Sequence, residues 1–171
     1  VIGANRMFEA FDPAVLVTMD DRFVKWCRNG VLGEKAKKLT SIQATRVYYA
    51  SDGEPRDDFY MVHGNGKVFA FDWDGLLVRG SNSGFAAVQI ACILGANPIY
   101  LLGIDMDGGP DGKQAWCHDG YPVVQDNSVY ALMRAEFVRW APVIREAGFE
   151  VVNLNPKSAL RCFPFKQIYD L

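Results

Sequence analysis

The residues between 80 and 107 carry the groups best suited to chemistry. Gly80-Ser81-Asn82-Ser83-Gly84 precedes a run of twenty residues without charge, Phe85 to Ile104, and Asp105-Met106-Asp107 closes it. Serine and asparagine side chains donate hydrogen bonds, and glycine lets a ligand approach the backbone closely. At the start of a helix, free N–H groups and the helix dipole favour negative charge, so Ser81, Asn82, Ser83 and Gly84 suit a phosphate or carboxylate. Ser83 is the expected N-cap. No Gly-Lys-Ser or Gly-Lys-Thr follows, so the cluster is not a P-loop. The plainer reading is an ordinary capped helix with a flexible lead-in.

Other polar groups end apolar runs. Asp20 and Asp21 follow "AVLVTM", Asp105 follows "IYLLGI", and Asn153 and Asn155 end "VVNLN". Open α/β sheets bind ligands outside the carboxyl ends of their strands, which makes these positions site candidates. Solvated loops supply polar strand ends as well. Asp105-Met106-Asp107 and Asp72-Trp73-Asp74 have a DxD form that can hold Mg²⁺ or Mn²⁺ against a nucleotide diphosphate, although the pattern is short and common in acidic loops. Histidine is the side chain suited to proton transfer near neutral pH, so His118, in the loop after Asp105, fits a general base or leaving-group acid, and His118 and Asp105 are the catalytic candidates. A solvated loop histidine is the competing reading. His63 lies beside an expected turn and reads as structural. No Ser-His-Asp or Cys-His arrangement follows from the spacing.

These residues need elements to hold them. "VIGA" (1–4) and "AVLVTMD" (14–20) read as strands, and "RFVKWCRNG" (22–30) as a short helix ended by Gly30. "TSIQATRVYYA" (40–50) is rich in β-formers, and 51–58 is a charged, turn-rich loop. Residues 59–74 read as a small hairpin, turning at Gly64-Asn65-Gly66. Gly84 to Leu94 reads as a helix with Gly95 as its C-cap, and "IYLLGI" as a parallel strand. Residues 127–148 carry apolar positions 129, 132, 133, 137, 140, 143 and 144 on one helical stripe, with Pro142 a point for a kink. "FEVVNLNP" (149–156) is a further strand. Alternating helix and strand in the second half implies an α/β fold with a mostly parallel sheet.

The chain of 171 residues suits one domain, 1–171, with a substantial core. Half the residues are apolar and 22% charged, as in soluble globular proteins. The net charge of −2 gives no global attraction to nucleic acid or anionic lipid. Gly95 and Asn97-Pro98 break the uncharged run into a helix and a strand, too short for the ~20-residue helix that spans a bilayer. Four cysteines without a CxxC pair, and two histidines, argue against structural zinc and for reduced thiols in the cytoplasm.

Several motifs resemble known families. "SNSGFAAVQIACILGANPIYLLGIDM" is similar to the bacterial sialyltransferase pattern, as are "DNSVY" (126–130), the long helix and "VVNLNPKSAL" (151–160). "VIGANRMF" resembles that family's second strand, whose terminal asparagine contacts the nucleotide. Over the whole chain, uncharacterised bacteriophage and prophage proteins are similar. They carry "GVNRAF", D-x-R after a strand, "NSG-x-x-A", "LLG-x-D-M", a loop histidine and a "VVN-x-x-P-x-S-x-L-x-x-FP" ending. The pterin diphosphokinase-like group resembles the chain more distantly. The resemblance implies a single Rossmann-like α/β domain, with Asn5, Asn82, Ser83 and Gly84 facing a nucleotide and Asp20 as a polar strand-end contact. It also implies a bacterial host setting. The family's first strand and G-x-G-P-S-type loop have no counterpart in these residues. The family's histidine after "DNS" is Val129-Tyr130 here, and its tyrosine after "GID" is Met106-Asp107.

The expected function is therefore a nucleotide- or nucleotide-sugar-binding, glycosyltransferase-like protein, with Mg²⁺ or Mn²⁺ optional and no nucleic-acid or membrane partner. The alternatives are an Mg²⁺-dependent pyrophosphoryl or phosphoryl transferase and a non-catalytic phage-associated binding or assembly module.

Overall fold

The computed structural model describes residues 1–40, 45–50, 59–74, 77–78, 82–108, 121–122 and 128–171. They form a mixed α/β protein with short parallel sheets. The chain divides into two compact units, Val1–Ile93 and Leu94–Leu171.

The first unit holds a parallel sheet of five strands: β1 (Ile2–Ala4), β2 (Val15–Thr18), β3 (Thr45–Ala50), β4 (Tyr60–Gly66) and β5 (Leu77–Val78), in that order across the sheet. β2 lies between β1 and β3, and Leu16, Val17 and Thr18 are fully buried. An apolar, β-branched run suits a strand covered on both faces. Helix α1 (Asp21–Arg28) follows β2 directly. Its N-cap is Asp20, whose carboxylate accepts from Arg22 N at 2.9 Å. It buries Phe23, Val24 and Cys27 on one face and gives way at Gly30, whose φ of 70° continues where a side-chain residue would be strained. A short helix α2 (Glu34–Lys37) leads toward β3.

Helix α3 (Ser83–Ile93) packs on this sheet. Ala86 and Ile90 form a buried cluster with Val17, and Ile2, Val15, Met19 and Val62 pack against it. Small residues at 86, 87 and 91 let the helix lie close to the strands. Leu94 follows, and Gly95 (φ 72°) ends the helix as expected.

The expected hairpin over 59–74 is not formed. β4 runs straight through Gly64-Asn65-Gly66, Gly64 and Gly66 face Leu77 and Val78 of parallel β5, and the register shifts between them. Glycine inside a strand marks an irregularity as readily as a turn, and here a parallel partner takes up both glycines.

In the second unit β6 (Ile99–Leu101) and β7 (Val151–Asn153) pair in parallel, joined in sequence by helix α4 (Ser128–Glu146). α4 runs on through Pro142 and buries Phe137, Trp140 and Ile144 of the predicted stripe, together with Ala141 outside it, while Val143 is half-buried and Leu132 exposed. Phe137 meets Phe163 edge to face with ring centroids 6.2 Å apart. Asn97 ties the entry of β6 to the turn after α4, donating from Nδ2 to Gly148 O (3.0 Å) and accepting from Glu150 N (2.9 Å). Among the described residues no helix is long and apolar enough to cross a membrane.

Candidate functional site

In a parallel sheet every strand presents its carboxyl end on the same edge. In the first unit that edge carries Asn5 after β1, Thr18 to Asp20 at the end of β2, and the start of α3. A hydrogen-bond network joins them. Met19 N donates to Ser83 Oγ (3.2 Å) and Asp20 N donates to Thr18 Oγ1 (3.3 Å). Each hydroxyl then needs an acceptor for its own proton, and Asn5 Oδ1 takes both, at 3.0 Å from Thr18 Oγ1 and 3.0 Å from Ser83 Oγ. In this arrangement both hydroxyls donate to the oxygen of the Asn5 amide. Its Nδ2 turns away from the hydroxyls and has no partner among the described residues. Asn5 adopts φ 50°, a left-handed conformation that asparagine tolerates better than most residues.

The cap of α3 differs from expectation. Asn82 is the N-cap: its Oδ1 accepts from Phe85 N at 2.8 Å, three residues on. Ser83 is the first residue of the helix, and its hydroxyl is taken by Asn5 and Met19, just beyond β1 and β2. Asn82 Nδ2 is buried and has no hydrogen-bond partner among the described residues. A buried donor left in this way calls for an acceptor. The N–H groups of Ser83 and Gly84, in the first turn, have no helical carbonyl to reach.

Asp20 is committed locally. Besides capping α1, its carboxylate holds the Arg22 guanidinium, Oδ1 to Nε at 3.2 Å and Oδ2 to Nη2 at 3.3 Å. Asn5, Asp20, Asn82, Ser83 and Gly84 thus occur together at one edge of the first unit. Ser81 and His118 lie outside the described residues. Thr18 was not legible as a site residue. Its only signal is a hydroxyl ending the buried run Val15-Leu16-Val17.

Asp105 belongs to the second unit. Asn155 Nδ2 donates to its Oδ1, its carbonyl accepts from Ala159 N (2.8 Å), and Ser158 Oγ donates to the neighbouring Ile104 O (2.7 Å). Asn155 cannot flip its amide there, because its own Oδ1 accepts from Lys157 N at 3.0 Å. Asp105 therefore ties the loop after β6 to the loop after β7. Met106, at φ 57°, turns the chain and offers its carbonyl to Arg134 Nη1 at 2.6 Å. Asn153 is buried and spends its side chain on Leu160 O and Asn155 N.

Among the described residues no three His, Cys, Asp or Glu side chains gather as a metal-holding group. Asp74 N donates to Asp72 Oδ1 at 3.2 Å, which makes the Asp72-Trp73-Asp74 segment a local turn. The described cysteines are free thiols. Burial pushes Cys27 and Cys92 up to about 12 and Cys162 up to about 11.

These features define a mixed α/β protein whose first unit gathers polar donors at the carboxyl edge of a parallel sheet. No protein-family profile, curated protein or solved structure matches the chain.

Proposed function

We propose that the chain is a Rossmann-like protein of the glycosyltransferase type that binds a nucleotide or nucleotide-sugar. The network of Asn5, Thr18 and Ser83 carries this reading. It locks the ends of two adjacent parallel strands to the first turn of a helix, the place where open parallel sheets take ligands. The helix start favours a phosphate. Asn5 Nδ2 is the remaining donor of its amide, suited to a phosphate, ribose or base oxygen. In transfer of a sugar the nucleotide phosphate leaves with added negative charge, and oriented amide donors stabilise that charge without reorganising. For the transfer step the sequence offers His118 as a base, and Mg²⁺ or Mn²⁺ as an optional aid. Thermal denaturation of the full chain with CMP-, UDP- and GDP-sugars tests the reading. At least one should raise the midpoint, and a flat response to all of them would overturn it. In His118→Ala, retained binding with lost transfer would identify the base.

A further inference from the structure

The segment that follows β4 takes no part in the network of Asn5, Thr18 and Ser83. β4 is parallel to β1, β2 and β3, so Gly66, its last residue, lies on the carboxyl edge that carries Asn5, Asp20 and the start of α3. There residues 66–72 line an open hollow of about 450 Å³. Phe69 and Ala70 are buried in its wall, while Lys67, Val68 and Asp72 are exposed. The wall is anchored from behind. The Phe69 ring meets Phe85 edge to face, with centroids 6.2 Å apart, and tilts against Phe71 at 5.0 Å. Phe85 is fully buried in the first turn of α3, where its N–H donates to Asn82. The hollow therefore adjoins the start of α3, and both belong to the first unit.

Trp73 follows Asp72 directly. Asp74 N donates to Asp72 Oδ1 at 3.2 Å, which folds the three residues into a turn with Trp73 at its apex. The indole is 54% exposed. Aromatic side chains gain much from burial, so an exposed indole beside a hollow is suited to cover a ligand. The Asp74 carboxylate is exposed and has no partner among the described residues, and the same holds for the Lys67 ammonium. Two carboxylates, Asp72 and Asp74, against one ammonium make this rim a poor place for an anion, unlike the helix start beside it. What fits is a neutral ligand with an apolar ring face for the indole and hydroxyls for a carboxylate to accept from. A pyranose has both, because its axial C–H groups form an apolar face and its hydroxyls are donors.

We propose that residues 66–74 form a sugar-binding subsite for a neutral pyranose. Trp73 stacks on the ring face and the Asp74 carboxylate accepts from ring hydroxyls. The proposal deepens the nucleotide-sugar reading and rests on it for the ligand that spans both places, its phosphate at the start of α3 and its sugar in the adjoining hollow.

Saturation-transfer NMR titrations on the full chain test it, with lactose, cellobiose and maltose as one set of probes and CMP, UMP and GMP as the other. At least one disaccharide should show transfer to its ring C–H protons. Trp73→Ala should weaken that disaccharide by roughly 10-fold and leave the nucleotides unchanged. Trp73→Phe should retain part of the binding, because a smaller ring still stacks. Asp74→Asn should cost less than Trp73→Ala, since the amide oxygen still accepts. Both positions are exposed, so these variants should keep the wild-type thermal midpoint. Absence of transfer to every disaccharide overturns the proposal, as does disaccharide binding that Trp73→Ala leaves unchanged. Equal weakening of disaccharides and nucleotides, the mark of a structural role, overturns it as well. Nucleotide binding lost in Trp73→Ala with disaccharide binding intact puts a base on the indole in place of a sugar and also overturns it. Disaccharide binding that needs Trp73, without binding of any nucleotide, upholds the subsite and overturns the nucleotide reading. Nucleotide binding without disaccharide binding does the reverse.

Discussion

At Asn5 the backbone and the side chain restrict the residue type together. The φ of 50° favours asparagine or aspartate, and two hydroxyl protons require an acceptor. Asn5→Asp keeps both and loses only the Nδ2 donor while adding negative charge. We expect it to unfold in urea within about 1 kcal/mol of wild type and to lose nucleotide binding. Asn5→Ala orphans both hydroxyls in a left-handed conformation and should cost about 2–4 kcal/mol in the same measurement. The cysteines make a separate prediction. Burial holds the protons on Cys27 and Cys92, with thiols at about 12, whereas an unfolded thiol ionises near 9. The unfolded state thus binds fewer protons above pH 9, and ionisation there pulls the equilibrium toward it. This stabilisation is complete below pH 9 and declines as pH rises toward about 12. The urea midpoint should fall between pH 8 and about 10.5, and fall less steeply in the double variant Cys27→Ala, Cys92→Ala.

Helix α3 shows what a local reading of an element can reach. Its existence and its end at Gly95 were legible, because small apolar residues and a left-handed glycine are local signals. Its cap was misread by one residue. Asn82 and Ser83 are both good caps by type, and the choice between them lies with Met19 and Asn5, which claim the Ser83 hydroxyl. Asn82→Ala should therefore destabilise by about 1 kcal/mol, seen as a lower thermal midpoint, while Asn82→Asp keeps the cap. If Ser83 were the cap, Asn82→Ala would be close to neutral. The hairpin failed for a related reason. Gly-Asn-Gly is compatible with a turn, but the presence of parallel β5 turned both glycines into ladder positions. The stripe of α4 was legible, yet of its positions only Phe137, Trp140 and Ile144 are buried, because burial depends on what packs over each turn.

For the whole molecule the main expectation is linkage. A ligand that binds only the folded chain, at 100 times its Kd, adds about 2.7 kcal/mol, or roughly 5–10 °C in thermal midpoint for a chain of this size. That shift is large enough to separate a true nucleotide ligand from a weak additive. Alternation of strand and helix made the α/β class and the parallel pairing readable, since periodicity and turn residues act over a few positions. The polar strand end Asp20 and the helix start at 82–84 were also readable as separate signals, and Asn5 through the family resemblance. Only the tertiary structure joined them. The bond between Asn5 and Ser83 spans 78 positions, and nothing in the local sequence of either residue encodes the other. Pairing across that distance is decided by how α3 packs on β1 and β2, whereas Asp20 meets its partners two residues away. Residue type is local and settles what each group can donate or accept. Partnership depends on burial and on the register of distant segments, so the sequence by itself determined the chemistry on offer and the fold decided which groups use it.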